Sequence, residues 1–356
     1  MKLNWLTEQR NAHVLGLARV AFSLLLLLLT GRLWRELLQF GYFGDGFHMP
    51  LLPETLVPSR PEYQAILALQ AAGCVLSLVG LLARPALLVA SLCGLYGLLC
   101  DRLGYHNNRY QLLLLALLVA LSPCDRSFLL LGDARPGTAP RWTARLVAAQ
   151  VVIVYLASSL GKLFDADWRS GAVLLPRFAI GRAFLEQLFP ALPATWTALL
   201  AAPWFALLAS VVAIGSELFL ALGLWFPRTR VLCLWLGLMF HAGIEISAHV
   251  ELFSYTMLCG YLVFVTPELR ERSLSWNARS RAGKLLGVLC SRLDVLARFR
   301  HEYVDSQGAL LVARDRVGAV HRGLSAWREL SRASPLLFPL WLPLSLLTWR
   351  ERVRTS

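Results

Sequence analysis

The chain has 356 residues, of which 57% are apolar and 16% charged, and its formal net charge is +13. Soluble domains carry about 25% charged residues, so this composition excludes a globular cytosolic enzyme, and its apolar content excludes a disordered chain. With a mean hydropathy of +0.56, it fits a polytopic membrane protein.

Crossing about 30 Å of hydrocarbon takes roughly 20 apolar residues. Candidate spans in chain order are 14–33, 63–82, 85–100, 110–123, 146–163, 197–226, 231–250 and 252–266. The third, fourth and eighth are short, and Pro203 offers a bend to the long sixth. Lys2 and Arg10 precede the first apolar run without a small-residue cleavage site, which reads as a retained first span. The expected fold is an all-α integral membrane protein. It comprises a bundle of about eight transmembrane helices (1–267) and a small α+β cytoplasmic tail (268–356).

Basic residues on the two sides of such a bundle nearly balance. From Glu268 onward, however, there are 16 basic and 8 acidic residues, which places both termini in the cytoplasm beside anionic lipid. The cell's inner (plasma) membrane is the expected location. Basic residues in the tail alternate with Leu, Val and Trp, so no nucleic-acid partner is expected. Within the tail, 285–296 reads as a helix and 303–314 (YVDSQGALLVAR) as a hairpin. Val317, Val320, Leu324, Trp327 and Leu330 read as one apolar helical face, and the proline-broken run 335–347 as a surface segment. The seven cysteines show no C-x-x-C pair and no zinc-ligand spacing, so neither a disulfide framework nor a metal is expected.

This topology collects polar segments on the outer side: 41–61, 101–109 (DRLGYHNNR), 162–171, and the turn at His249 and Glu251. Residues 172–195 read as an amphipathic interfacial helix. Lys162 is one of only three lysines in the chain. Tyr155, Ser159 and Lys162 fall on one helical face, with Asp165, Asp167 and Trp168 following. Two readings of Lys162 stand. It snorkels to the interface, paired with an aspartate and anchored by Trp168. Alternatively it faces the bundle, where burial disfavours the ammonium and suits the amine to be a general base, the aspartates then pointing away. His241, Glu245 and His249 form a second polar stripe at i, i+4 steps, open to structural, acid–base, substrate-contact or metal-binding readings. Arg19 and Glu217 are the other intramembrane charges, and a structural ion pair between them is the simplest expectation. Asn107, Asn108 and Arg109 make a donor-rich outer loop.

The run 155–171 (YLASSLGKLFDADWRSG) resembles the lysine-bearing segment of vitamin K-dependent γ-glutamyl carboxylases and of the wider horizontally transferred transmembrane (HTTM) domain family. Phe240-His241, Leu252-Phe-Ser-Tyr255, Met257-Leu258, Arg19 and Asn107-Asn108 with Tyr110 add to the resemblance, which covers about 12–266. It implies an enzyme in which Lys162 deprotonates reduced vitamin K or another quinol, with His241 and the Tyr255 region lining the site. It departs from the family in four ways, one being Phe164, which lengthens the path from Lys162 to Trp168 by one residue. Gly161 replaces a second lysine, Arg109 follows Asn108 where the carboxylases have histidine, and no large extracytoplasmic region is present. These departures argue against glutamate γ-carboxylation and for a relative acting on another quinone-like or peptide substrate. The alternative is a non-catalytic membrane factor for maturation or export of a secreted peptide. The tail resembles the C-terminal half of DCC-type thiol–disulfide oxidoreductases without their dithiol, which implies a degenerate thioredoxin-like remnant.

Overall fold

The computed structural model describes residues 7–40, 49–102, 104–129, 137–190, 194–247, 250–265, 270–305 and 309–355. It divides into two compact units, Met1–Val265 and Thr266–Ser356.

The first unit is helical: α1 (His13–Phe40), α2 (Arg60–Val79), α3 (Ala83–Cys100), α4 (Asn107–Leu121), α5 (Arg141–Phe164), α6 (Ala166–Ser170), α7 (Leu174–Leu188), α8 (Ala194–Leu199), α9 (Pro203–Gly223), α10 (Pro227–Ser247) and α11 (Phe253–Gly260). Among the described residues six helices are long and apolar enough to cross a membrane, namely α1, α2, α3, α5, α9 and α10. The fourth and eighth expected spans are shorter. The 15 residues of α4 rise only about 22 Å at 1.5 Å each, and α11 has 8 residues before a 3-10 turn over Tyr261–Phe264. Brevity suits α4 because protein surrounds it: Leu112, Leu113, Leu115, Ala116 and Val119 are all buried in the core. Around it, α1 contributes Leu15, Ala18, Phe22, Leu25 and Leu29, one face at helical spacing, while Leu24 and Leu28 face outward.

Local chemistry sets several boundaries. Ser59 and Glu62 form a reciprocal cap at the start of α2. The expected sixth span breaks at Pro203: Ala202 is extended, as a residue before proline prefers, and α9 starts on the proline itself. A two-stranded pairing of β1 (Gln9–Asn11) with β2 (Thr138–Pro140) ties the N-terminus to the start of α5.

The expected Arg19–Glu217 pair does not form. The Arg19 guanidinium is fully buried and donates instead to the carbonyls of Ser77 (2.5 Å), Ser127 (3.2 Å) and Phe128 (2.6 Å). The reason is packing: α1 lies against α2, α4 and α11, whereas α9 lies along α5. Gly80 ends α2 with φ +81°, and a Cβ there would stand 2.5 Å from the Phe128 carbonyl oxygen, so the same loop closes over both residues.

The second unit holds β3 (Arg272–Asn277), α12 (Arg281–Leu293), β4 (Phe299–Val304), β5 (Leu311–Arg314), β6 (Val320–Arg322), α13 (Leu324–Ala333) and α14 (Trp341–Thr355). The sheet order is β4-β3-β5-β6, with β4 parallel to β3 and β5 antiparallel to it. The expected hairpin over 303–314 is therefore corrected. Its two arms do not pair with each other, because β3 lies between them and takes the ladder bonds of both. The expected apolar helical face is shortened in the same way. Trp327 and Leu330 lie on α13 and pack on the core around Trp276, but Val320 belongs to β6 and Val317 is exposed outside the helix. The run 335–347 forms a 3-10 turn and the start of α14, both against α13.

Candidate functional site

Near its end, α5 carries two polar groups that the structure completes from other helices. The Lys162 Nζ lies 2.5 Å from both carboxylate oxygens of Glu217 on α9 and donates to Ser158 Oγ at 2.8 Å. Ser158 also donates to Glu217 at 3.2 Å. The Glu217 side chain is 1% exposed and that of Lys162 15%. The ammonium stands 4.8 Å from the centre of the Trp168 ring, a cation–π distance. Lys162 is thus turned into the bundle and is not a lone amine, since its counter-ion comes from the neighbouring span.

The aspartates take other work. The Asp165 carboxylate accepts from the backbone N–H groups of Asp167 and Trp168 and caps α6, and Asp167 is exposed. Ser159 is buried but bonds back to the Leu156 carbonyl, so Ser158, not Ser159, serves Lys162. The turn after α6 is held against α9 by a bond from Ser210 Oγ to the Trp168 carbonyl. It is held also by Gly171, whose φ is +80° and whose absent Cβ would lie 2.6 Å from the backbone of Ala206 and Leu207. Gly171→Ala is expected to push this turn off α9 and cost about 1–3 kcal/mol, combining overpacking with a disfavoured backbone. A thermal midpoint equal to that of the unaltered chain would contradict the close approach.

About two turns deeper, or roughly 10 Å along the helix axis, Tyr155 is fully buried. Its hydroxyl is 2.6 Å from His241 Nε2 and 2.5 Å from the Tyr261 hydroxyl. His241 is also fully buried, with Phe240 and Phe253 at ring distances of 5.3 and 5.4 Å, and its Nδ1 has no partner among the described residues. Tyr255, half exposed, meets Glu245 through their side chains. His249 lies outside the described residues.

The segments expected on the outer side also converge in part. The Asp101 carboxylate accepts from Met49 N–H, and Arg102 N–H donates to the Met49 carbonyl. Asn108 donates to the Glu251 carbonyl at 3.0 Å, and Arg109 pairs with the Glu251 carboxylate at 3.2 Å, which Arg32 also meets at 2.6 Å. Asn107 is exposed at the first turn of α4.

Sequence reasoning placed Tyr155, Lys162 and His241 on polar stripes but missed Ser158 and Tyr261 as members. Ser158 stands four residues before Lys162, a spacing legible in advance. Nothing local marks Tyr261, which reaches the site only through the fold. Among the described residues no group of three or more His, Cys, Asp or Glu is arranged to hold a metal ion. A sequence model of the HTTM domain matches residues 8–269, and no solved structure matches the chain.

Proposed function

The chain belongs to the HTTM domain family, which is membrane-associated and related to carboxylases, and from that membership we propose an integral membrane enzyme that moves a proton through Lys162. The observation that carries this reading is the buried amine of Lys162 held between Glu217 and Ser158. A carboxylate in direct contact with an ammonium can take its proton. The neutral amine that remains is the form able to accept a proton from a substrate O–H. Trp168 covers the amine on another side and limits water there.

A quinone-like or peptide substrate at the outer membrane face is part of the proposal. The residues present fit a reduced vitamin K or another quinol in one respect. The fully buried His241 packs against Phe240 and Phe253, its Nδ1 has no partner among the described residues, and the Tyr155 hydroxyl meets its Nε2. His241 would hold a ring hydroxyl, and a bound quinol would supply reducing electrons and an acidic O–H. Asn108, Arg109, Glu245 and Tyr255 would line the approach, and Asp165, Asp167 and Trp168 would shape the turn beside Lys162.

Turnover of the purified chain in lipid nanodiscs tests this, read as quinol oxidation and as fixation of labelled carbon dioxide. Lys162→Ala is expected to lower the rate roughly 10²- to 10⁴-fold, the range for loss of a general base. Lys162→Arg should not restore it, because a guanidinium stays protonated. Equal turnover in all three would remove Lys162 as base. A second reading, a non-catalytic factor for maturation or export of a secreted peptide, is favoured by the closed Lys162–Glu217 pair, which already satisfies both charges. Peptide capture that survives Lys162→Ala, with no turnover in the unaltered chain, would select it.

The proposal places the protein as a multi-pass component of the cell's plasma membrane with both termini cytoplasmic. Support comes from the basic tail, while the pairing of β1 with β2 only puts the N-terminal strand on the same side as the loop before α5. For the tail we propose a thioredoxin-like remnant without redox activity. A parallel β3–α12–β4 unit followed by antiparallel β5 and β6 supports the first part. Cys290, single in the tail and with its thiol pushed up by burial, supports the second.

A further inference from the structure

The α12 helix has two unlike sides. Inward, Gly287 lets the helix settle on Trp276 and Tyr303, and Leu286 and Cys290 join the core beneath. Outward, Leu285 is 70% exposed and Val288 and Leu289 are close to half exposed. Arg281, Lys284 and Arg292 are exposed on the same helix, which carries no acidic residue at all. Three neighbouring exposed apolar side chains on one flank of a helix mark a candidate interaction site.

We propose that α12 is a membrane-docking helix that lays Leu285, Val288 and Leu289 onto a bilayer surface rich in anionic headgroups. Charge complementarity selects this occupant. Three cations and no anion suit phosphate-bearing lipid, and long basic side chains keep their charge among headgroups while their stems cover apolar surface. A second copy of the chain is disfavoured, because a symmetric contact would set Arg281, Lys284 and Arg292 against their own equivalents. The covalent link to a unit with six span-length helices keeps the tail within reach of a bilayer at all times. The inference is independent of the activity proposed above.

The test uses the full chain in nanodiscs of phosphatidylcholine alone or with phosphatidylglycerol. Leu285→Cys is labelled with a membrane-impermeant maleimide, the signal of the unaltered chain being subtracted. Val317→Cys, at a position 88% exposed and outside α12, reports general accessibility. The expected result is at least tenfold slower labelling of Leu285→Cys in the anionic discs than in the neutral ones, with Val317→Cys equally fast in both. Adding Lys284→Glu and Arg292→Glu should abolish the difference. Equal rates for Leu285→Cys in the two discs overturn the proposal. Fast equal rates mean a solvated helix, and slow equal rates mean cover by protein. Protection that rises with the number of chains per disc overturns it too, in favour of a second copy.

Discussion

Glu217→Leu is expected to destabilise the first unit by about 3–5 kcal/mol, the usual cost of leaving one member of a buried ion pair without its partner. The pair qualifies because both carboxylate oxygens lie 2.5 Å from Lys162 Nζ and the carboxylate is closed off from solvent. Removing the carboxylate would leave the ammonium with Ser158 Oγ and the face of Trp168, neither of which carries a compensating charge. The double variant Lys162→Met with Glu217→Leu is expected to recover most of the loss, since apolar side chains of similar volume replace such pairs at little cost. Unfolding in bicelles with the complete double-mutant cycle measures this. Losses that simply add would show that the two groups do not act as a pair. The catalytic and structural readings then separate cleanly, because the double variant would be folded yet unable to transfer a proton.

Arg19→Met is expected to cost a similar amount, about 3–5 kcal/mol. It strips three carbonyl oxygens of a charged donor, and each such bond contributes about 1.5–3 kcal/mol without full additivity. The carbonyls come from two segments, the end of α2 at Ser77 and the loop at Ser127 and Phe128, so the guanidinium acts as a clasp between them. Arg19→Lys should recover less than half of the loss, because one ammonium cannot reproduce the planar fork that reaches both. Thermal unfolding gives the size of the effect, and proteolysis after Ser122 gives its place. Full stability in Arg19→Lys would reduce the residue to a mere positive charge.

Much of the first unit was legible because bilayer residence writes itself into length and composition. The candidate spans at 14–33, 63–82, 85–100, 146–163 and 231–250 each overlap a helix long enough to cross. Pro203, too, announced the break before α9. The short fourth and eighth runs were visible as short, but their length did not say whether lipid or protein would surround them. In the tail, the run 303–314 read as a hairpin, but β3 and β6 were not read as strands, and nothing in the run itself said that β3 would lie between its two arms.

The sequence by itself determined that the chain is apolar enough for a membrane, where its long helices lie, and that Tyr155, Lys162 and His241 sit on polar stripes of otherwise apolar helices. Only the tertiary structure decided that Glu217 answers Lys162 and not Arg19, that Ser158 and not Ser159 turns toward the amine, and that Tyr261 closes the bond to Tyr155. Periodicity fixes which residues share a face of one helix. Which face meets which helix depends on packing between segments 55 and 106 residues apart, and lipid tails, being as apolar as leucine, give no hydrophobic preference that local sequence could record.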